Sequence, residues 1–336
     1  MVRSYLRSPK KHFISWYIYY LPLILISLFP ATQGYGIDNP ECIAPVKPGG
    51  GLDLACQLLS RSLYQSRLID TPTKIRYMPG GIGALAYNYI AGVNRKAANT
   101  VVAFSTGSAL NIAQKKFGKY DETAVRWLGA LATDFGIIAV RNDSAWNTLD
   151  DLVTTLKKDP GAIVFGAGGS IGSQDWMKSA LLLKDAGINP KRIRYVAYEG
   201  GGEAINALLN NHIQVFPGDL AESSQHIRSG KIKVLAVFSE NRIVGGYNNI
   251  PTAKEQGYPV VWTIWRGFYL PPETSDDDYL WWENTLRRLA ATKEFKKIRK
   301  ELGFFPFTLI GKEFDDFVKN SVRELRSLAI EFELIK

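Results

Sequence analysis

Metal-binding residues are scarce in this sequence, which has two cysteines and three histidines among 336 residues. Beyond the N-terminal segment only His212 and His226 remain, and neither pairs with a histidine or cysteine at a spacing typical of metal ligands. We therefore expect no metal site. Cys42 and Cys56 lie at the start of the first predicted strand and inside the first predicted helix. In an oxidising compartment they could form a disulfide, and two free buried thiols are the alternative.

Long apolar runs are also absent, except near the N-terminus. There, four basic residues precede an apolar run at positions 13–29, and small residues follow it. This order is typical of a secretory signal, so we expect residues 1–36 to be a signal peptide, cleaved near Gly34 or Gly36, and the mature protein to be periplasmic. A retained membrane anchor is the alternative, although Pro22 interrupts the run and the run is short for a span.

A concentrated stretch of basic residues is missing as well. The formal net charge is +9, and loss of the four basic residues of the signal leaves about +5 (9 minus 4). The remaining positive residues are mixed with acidic ones, as in RRLAATKEFKKIRKELG, which is typical of a solvated helix face. Nucleic-acid binding needs a basic stripe, so we expect no nucleic-acid partner. The mild positive balance favours an anionic ligand.

What the sequence does have is a repeated turn rich in glycine, serine and threonine. Five predicted strands each end in such a turn, and a predicted helix follows, as in APVKPGGGLDLACQLL. Alternating strands and helices predict parallel sheets, which bind ligands beyond the carboxyl ends of their strands. Glycine lets a ligand approach the backbone, and a helix N-terminus offers unpaired N–H groups and a partial positive charge. The pattern predicts a carboxylate-binding cleft ringed by helix N-termini.

The candidate ligand-binding residues come from these five turns and from one later acidic position. Asp53 has two interpretations: it stabilises the first turn of its helix, or it orders the glycine turn around the ligand. Arg76 and Arg266 could add bidentate pairing to a carboxylate, or they are surface or hinge residues. The candidates are Pro48, Gly49, Gly50, Gly51, Asp53, Gly80, Gly81, Ser105, Thr106, Gly107, Ser108, Gly168, Gly169, Ser170, Ser173, Tyr198, Gly200, Gly201, Gly202 and Asp219.

One stretch matches a catalytic motif. GAGGSIGS lacks the third glycine of a dinucleotide fingerprint, because Ile171 stands there, and the sequence contains no P-loop. The stretch does match the G-x-S-x-G motif of serine hydrolases around Ser170, with Asp219 and His226 following in hydrolase order. The pattern is short, and that histidine lies only two helical turns after the aspartate. A serine hydrolase is therefore the less favoured alternative.

Several segments resemble a known family of binding proteins. PGGGLD, YMPGG, GSIGSQDW, YEGGGEA and NIPTAKEQGY are similar to motifs of the extracytoplasmic solute receptors of tripartite tricarboxylate transporters. The resemblance covers the chain after the signal and is greatest for the citrate-receptor branch, in ECIAPVKPGGGLDLAC, GSQDWMKSALL and AVFSENR. Two positions depart from the family pattern: the second turn reads PGGIG with Gly81 where most relatives read PGAGG, and Trp176 stands where many have histidine.

The resemblance implies the α/β fold of a two-domain, type II-like periplasmic binding protein, with the ligand cleft between the domains. Each domain is expected to be a mixed, mainly parallel sheet flanked by helices. We expect the first domain at 37–138, the second at 139–262, and a return to the first domain with the C-terminal helices at 263–336. The resemblance also implies no enzyme activity, no cofactor, and delivery of the ligand to the permease subunits of a tripartite transporter.

Together, the turns and the resemblance predict a periplasmic receptor, expected to be a monomer, that binds citrate or a related tri- or dicarboxylate. The alternatives within the receptor class are an acidic amino acid or an aromatic carboxylate as the ligand. A further alternative is a protein that presents its ligand to a membrane sensor.

Overall fold

The computed structural model describes residues 37–336, so the expected signal peptide at 1–36 lies outside the described residues. No helix between residues 37 and 336 is both long and apolar enough to cross a membrane. The strands are β1 (Glu41–Ala44), β2 (Lys74–Tyr77), β3 (Thr100–Ser105), β4 (Arg126–Phe135), β5 (Ile137–Arg141), β6 (Val164–Gly168), β7 (Arg194–Tyr198), β8 (Ile232–Val237), β9 (Thr263–Leu270) and β10 (Phe305–Ile310). The α-helices are α1 (Gly51–Gln65), α2 (Ala84–Gly92), α3 (Thr106–Ala113), α4 (Leu149–Lys158), α5 (Gln174–Asp185), α6 (Gly201–Leu209), α7 (Leu220–Arg228), α8 (Asp276–Ala291), α9 (Lys293–Glu301) and α10 (Lys312–Glu331).

A first lobe is built on a six-stranded sheet in the order β10-β4-β9-β3-β1-β2. β1 runs parallel to β2 and β3, whereas β9 is antiparallel to β3 and β4, and β10 is antiparallel to β4. The mixed α/β character agrees with the prediction, but this sheet is less parallel than expected. The reason is that the chain leaves the lobe through β4 and returns through β9, so these two strands run in opposite directions.

A second lobe contains the strands between the two crossings. β5 pairs antiparallel with β8, and β6 pairs parallel with β7. Single bridges from Ala139 to Phe216 and from Phe165 to Val215 join the two pairs through the short segment 215–216. The helices α5, α6 and α7 pack on these strands. Because β6 and β7 are parallel, the turns that follow them open toward the same edge.

The chain passes between the lobes at two adjacent places. Gly136 joins β4 to β5; its N–H donates to the Trp262 carbonyl at 3.0 Å, and its carbonyl accepts from the Phe238 N–H at 2.8 Å. A side chain at Gly136 has no room, because a Cβ there would lie 2.5 Å from Cδ of Lys178. The two crossings are thus hydrogen-bonded to each other.

The C-terminal helix α10 packs an apolar face on the first lobe, as its spacing predicts. Phe314, Val318 and Val322 are fully buried against α3 and β4. Just beyond the helix, the Phe332 ring packs edge-on against Trp176 of α5 with 6.1 Å between centroids. Trp176 is therefore a buried packing residue near the start of α5.

A disulfide joins Cys42 in β1 to Cys56 in α1, with 5.7 Å between their Cα atoms. Of the two alternatives that the sequence left open, the structure has the disulfide. The loop that it closes contains the first glycine turn at 48–51. This turn is therefore tied at both ends to the same covalent bridge.

Candidate functional site

The N-termini of five helices meet at a small cavity between the lobes. The cavity has a volume of about 40 Å³ and is lined by residues that begin α1 and α3 in the first lobe and α5, α6 and α7 in the second. Two larger pockets share lining residues with it. One, of about 600 Å³, contains Lys116 and is called here the Lys116 pocket. The other, of about 590 Å³, contains His226 and is called the His226 pocket.

The predicted site residues divide among these three spaces. Nine of them line the central cavity: Gly50, Gly51, Ser105, Gly107, Gly168, Ser173, Gly200, Gly201 and Asp219. Four more line only the Lys116 pocket and four only the His226 pocket: Gly81, Gly169, Ser170 and Tyr198 in the first, and Pro48, Gly49, Asp53 and Gly202 in the second. Gly80, Thr106 and Ser108 line none of the three.

Two of these last three residues make contacts inside the protein. The Thr106 hydroxyl accepts from the Trp265 N–H at 3.1 Å and donates to the Thr263 carbonyl at 3.4 Å. The Ser108 hydroxyl donates to the Ile82 carbonyl at 3.4 Å. Both hydroxyls therefore make hydrogen bonds within the first lobe. We do not propose them as ligand contacts.

Asp53 orders the first glycine turn. Its buried carboxylate accepts hydrogen bonds from the Gly49 N–H at 2.7 Å, from Gln57 Nε2 at 3.0 Å and from the Tyr77 hydroxyl at 3.0 Å. Gly49 has a φ of +89°, a conformation that glycine adopts without strain. The N–H groups of Gly51 and Leu52 lie in the first turn of α1, where a helix provides them with no acceptor.

Arg266 lines the cavity and links the lobes. Its NH2 group is 2.6 Å from Asp219 Oδ2 in the second lobe and 2.8 Å from Asp134 Oδ2 at the end of β4. Its guanidinium lies against the start of α1: a Cβ at Gly51 would be 2.5 Å from its NH1 group. The buried position between the lobes fits the hinge interpretation, and because Arg266 also lines the central cavity, its pairing with a carboxylate stays a prediction.

Arg76, the other candidate arginine, lies elsewhere. Its side chain pairs with Glu41 at 3.0 Å and lies over the Tyr89 ring at the edge strand β2. It lines none of the three spaces at the cleft. A role for Arg76 in carboxylate binding is therefore not supported.

A fully buried lysine organises the acidic side of the cavity. Lys178 Nζ lies 2.6 Å from Asp219 Oδ1, 2.7 Å from Asp175 Oδ1 and 2.6 Å from the Gly218 carbonyl. Asp175 Oδ2 accepts in turn from the Gly168 N–H at 2.9 Å. We use the name charge cluster for Asp134, Asp175, Lys178, Asp219, Glu222 and Arg266.

Burial and mutual repulsion set the protonation of these acids. Burial raises the pKa of Asp134 and of Asp175 to about 6, with Asp219 adding to the rise, against the lowering effects of Arg266 and Lys178 respectively. The pKa of Glu222 is raised well above its usual value by burial and then by Asp219 and Asp175. The pKa of Asp219 is lowered, because Lys178 and Arg266 outweigh the effect of burial. Asp219 is thus the carboxylate of the cluster that is most firmly ionised.

The members of a hydrolase triad are not brought together. Ser170 lines the Lys116 pocket, whereas His226 lines the His226 pocket, and the two pockets have no lining residue in common. Asp219 is bound to Lys178 and Arg266. The G-x-S-x-G match is therefore a turn between β6 and α5 without a catalytic partner.

Sequence reasoning missed Gln174, Asp175, Lys178, Glu222 and Asp134. Lys178 and Glu222 occur in polar or amphipathic helical stretches, where single charges are usually exposed. Asp175 offered a usable signal, because it is an acidic residue in the first turn of a helix that follows one of the predicted glycine turns. Glu222 follows no predicted turn. Their pairing with Lys178 and Arg266 depends on contacts between distant segments.

The two lobes, their hydrogen-bonded crossings and a cleft lined by helix N-termini define a solute-binding receptor of the periplasmic type. A family model described as tripartite tricarboxylate transporter family receptor matches residues 102–334. The chain belongs to this family, whose members bind a solute and are not enzymes.

Solved structures of similar proteins have the same fold. The periplasmic binding protein BugD aligns with a TM-score of 0.78 at 21% identity, covering 88% of this chain and 97% of that chain. MatC from Rhodopseudomonas palustris with bound malate gives 0.75 at 17% identity, covering 88% and 99%. Rpa4515 of R. palustris with adipate gives 0.77 at 18% identity, covering 88% and 97%. The predicted α/β periplasmic-binding-protein fold is confirmed.

Proposed function

We propose that this protein captures a small di- or tricarboxylate in the periplasm, with citrate as the first candidate, and delivers it to the permease of a tripartite transporter. The observation that carries the proposal is the convergence of five helix N-termini with Arg266 at one cavity. Each helix N-terminus contributes roughly 0.3–1 kcal/mol to the binding of an anion. Several together can hold more than one carboxylate. The malate and adipate named for two structural neighbours are ligands of the same chemical class.

Ligand entry requires the lobes to move. A cavity of about 40 Å³ holds about three water-sized spheres, so a tricarboxylate does not fit in it. We propose that residues 139–262 swing away from residues 37–138 and 263–336 about the crossings at Gly136 and Trp262, and close on the ligand. X-ray scattering should then give a larger radius of gyration without ligand than at saturation. Identical profiles in the two states would contradict closure.

The ligand class can be tested with the mature protein in a thermal-shift screen. We expect citrate, isocitrate, tricarballylate, malate, succinate or adipate to raise the melting temperature, because a ligand that binds only the folded state stabilises it. Acidic amino acids and aromatic acids belong in the same screen as competing ligands. If no carboxylate raises the melting temperature, the proposed function is wrong.

The position of the site can be tested at Gly51. Gly51→Ala places a methyl group 2.5 Å from the buried Arg266 guanidinium, so this side chain has to shift from Asp134 and Asp219. The free energy of unfolding is therefore measured beside the affinity. We expect the affinity for the best carboxylate to fall at least tenfold, about 1.4 kcal/mol. Gly246→Ala is the matched control, because a Cβ there meets nothing within 4 Å. Unchanged affinity in folded Gly51→Ala would place the ligand elsewhere.

Delivery to a permease can be separated from presentation to a sensor. Growth on the bound carboxylate should require both this protein and the permease if the protein serves transport. A ligand-dependent response that persists after deletion of the permease would instead support a sensor partner.

A further inference from the structure

Gln174 reaches across the cleft from the second lobe to the first. It is the first residue of α5, and its carboxamide lies over Gly107 at the start of α3, where a Cβ would be 2.8 Å from Gln174 Cδ and Oε1. Both residues line the central cavity. The missing side chain at Gly107 therefore makes the space that the Gln174 carboxamide occupies.

Asp219 determines the orientation of the Gln174 carboxamide in the cavity. Gln174 Nε2 lies 3.2 Å from Asp219 Oδ2 and 3.4 Å from Oδ1. The reverse orientation would bring two acceptor oxygens together, and Asp219 is the most firmly ionised acid of the cluster. The oxygen Oε1 is thus the end that points away from Asp219.

That oxygen is buried and accepts no hydrogen bond within residues 37–336. A donor at the same cavity also lacks a partner: the buried Nε of Arg266 makes no hydrogen bond within this part of the chain. The two side chains are neighbours, since Arg266 NH2 and Gln174 Nε2 both donate to Asp219 Oδ2. A buried polar atom without a partner is unfavourable, so a ligand that offers a donor to Oε1 and an acceptor to Nε is favoured at this cavity.

Resting on the proposed function, we propose that the ligand carries a hydroxyl or ammonium group close to a carboxylate, and that Gln174 is the residue that selects it. Arg266 binds the carboxylate, and Gln174 Oε1 accepts the hydrogen bond of the donor group. The donor group lies close to the carboxylate in the ligand, because Gln174 and Arg266 share the acceptor Asp219 Oδ2. Plain dicarboxylates such as succinate leave Oε1 unsatisfied.

Matched ligands test this selection directly by calorimetry on the mature protein. Malate, aspartate and succinate share a four-carbon dicarboxylate skeleton and differ in a hydroxyl, an ammonium or a hydrogen; citrate and tricarballylate differ in one hydroxyl. We expect the donor-bearing member of at least one pair to bind at least tenfold more tightly, because a site built for a donor penalises an analogue that lacks it. Malate against aspartate distinguishes the hydroxyl from the ammonium.

The variant Gln174→Met keeps the length of the side chain and removes the acceptor. We expect the preference for the donor-bearing ligand of each pair to fall below about threefold. Gln65→Met, an exposed substitution at the end of α1, is the control and should keep the full preference. If Gln174→Met does not fold, Gln174→Ala serves the same purpose.

The outcomes separate this inference from the proposed function. Equal affinity within every pair for the unmodified protein overturns the inference but leaves a carboxylate receptor. A preference that survives in folded Gln174→Met also overturns it, because another residue then reads the donor. Failure of every carboxylate to bind overturns the proposed function itself.

Discussion

The two sides of the cleft are held in place by different means. The first-lobe wall, which is the turn at 48–53, is fixed by the disulfide between Cys42 and Cys56 and by the hydrogen bonds of Asp53. The second-lobe wall, which comprises the starts of α5 and α7, is fixed by buried ion pairs around Lys178. The first-lobe wall is therefore held by a covalent bond, and the second-lobe wall by pairing between opposite charges.

This difference matters for a receptor of anions. A carboxylate that enters the cleft adds negative charge beside the acids of the second-lobe wall, whereas the first-lobe wall contributes backbone N–H groups on a rigid frame. We therefore expect the second-lobe wall to respond strongly to charge and to pH, and the first-lobe wall to respond mainly to reduction of its disulfide.

The largest effect is expected from Lys178→Met. It leaves Asp175 and Asp219 buried without their main counter-ion, and removing one partner of a buried ion pair costs roughly 3–5 kcal/mol in the free energy of unfolding. Urea denaturation measures the change. Lys184→Met on the same helix removes an exposed pair with Glu331 and should cost less than about 1 kcal/mol. Similar losses for both variants would mean that the cluster does not support the wall.

In the double variant Cys42→Ala/Cys56→Ala, which removes the covalent link of the first-lobe wall, the free energy of unfolding should fall by about 3 kcal/mol. The two cysteines are 14 residues apart, and opening a loop of that size returns this much entropy to the unfolded chain. Reduction of the unmodified protein should lower its stability by the same amount and should not affect the double variant. A double variant as stable as the parent would show that the covalent link contributes nothing to this wall.

The second-lobe wall should make stability depend on pH. The pKa values of Asp134 and Asp175 are raised from 3.8 to about 6, so the folded state holds these protons more tightly than the unfolded chain does. The free energy of unfolding should therefore fall as pH rises from about 4 to 6, and the raised pKa of Glu222 extends the fall above that. Denaturation at pH 4.5 and 7 tests the sign.

The matched variant for this measurement is Asp175→Asn, in which the slope between pH 4.5 and 7 should become smaller. A stability that instead rises across this window in the unmodified protein would contradict the assigned direction of the two pKa shifts.

The smallest effect is expected from Asp53→Asn. An asparagine keeps the shape and can still accept the Gly49 N–H, so stability should change by about 1 kcal/mol or less. Calorimetry should show a modest loss of affinity if the turn becomes less ordered. A loss as large as that expected for Lys178→Met would mean that the first-lobe wall also depends on charge.

The parts that follow from local pattern could be predicted from the sequence. The pattern of strand, glycine turn and helix involves only neighbouring residues, and it predicts a binding role for Gly50, Gly107 and Gly200. These three glycines line the central cavity. The charge cluster could not be predicted in this way. Lys178 has the pattern of an exposed helix residue, and it is buried only because Asp175, Asp219 and the carbonyl of Gly218 surround it.

Arg266 and Gln174 illustrate the same limit. The sequence allowed a surface, hinge or ligand role for Arg266, and only the pairing of β9 with β4 brings it to Asp134. Gln174 follows Ser173, which caps α5, and in the sequence it is one polar residue of a helix start. Its reach across the cleft depends on the distance between the lobes, which no local pattern encodes.

The position of β9 also has a consequence for the order of folding. This strand lies between β3 and β4 in the first sheet but follows the whole second lobe in the chain. The strands of the second lobe are complete by residue 237, whereas β3 has to wait for residues 263–270 before it has a partner on that side. Pairings of such long sequence separation form slowly, and unpaired apolar strands aggregate readily. The strands of the second lobe can therefore pair before the first sheet is complete, and one edge of β3 stays unpaired until residues 263–270 are available.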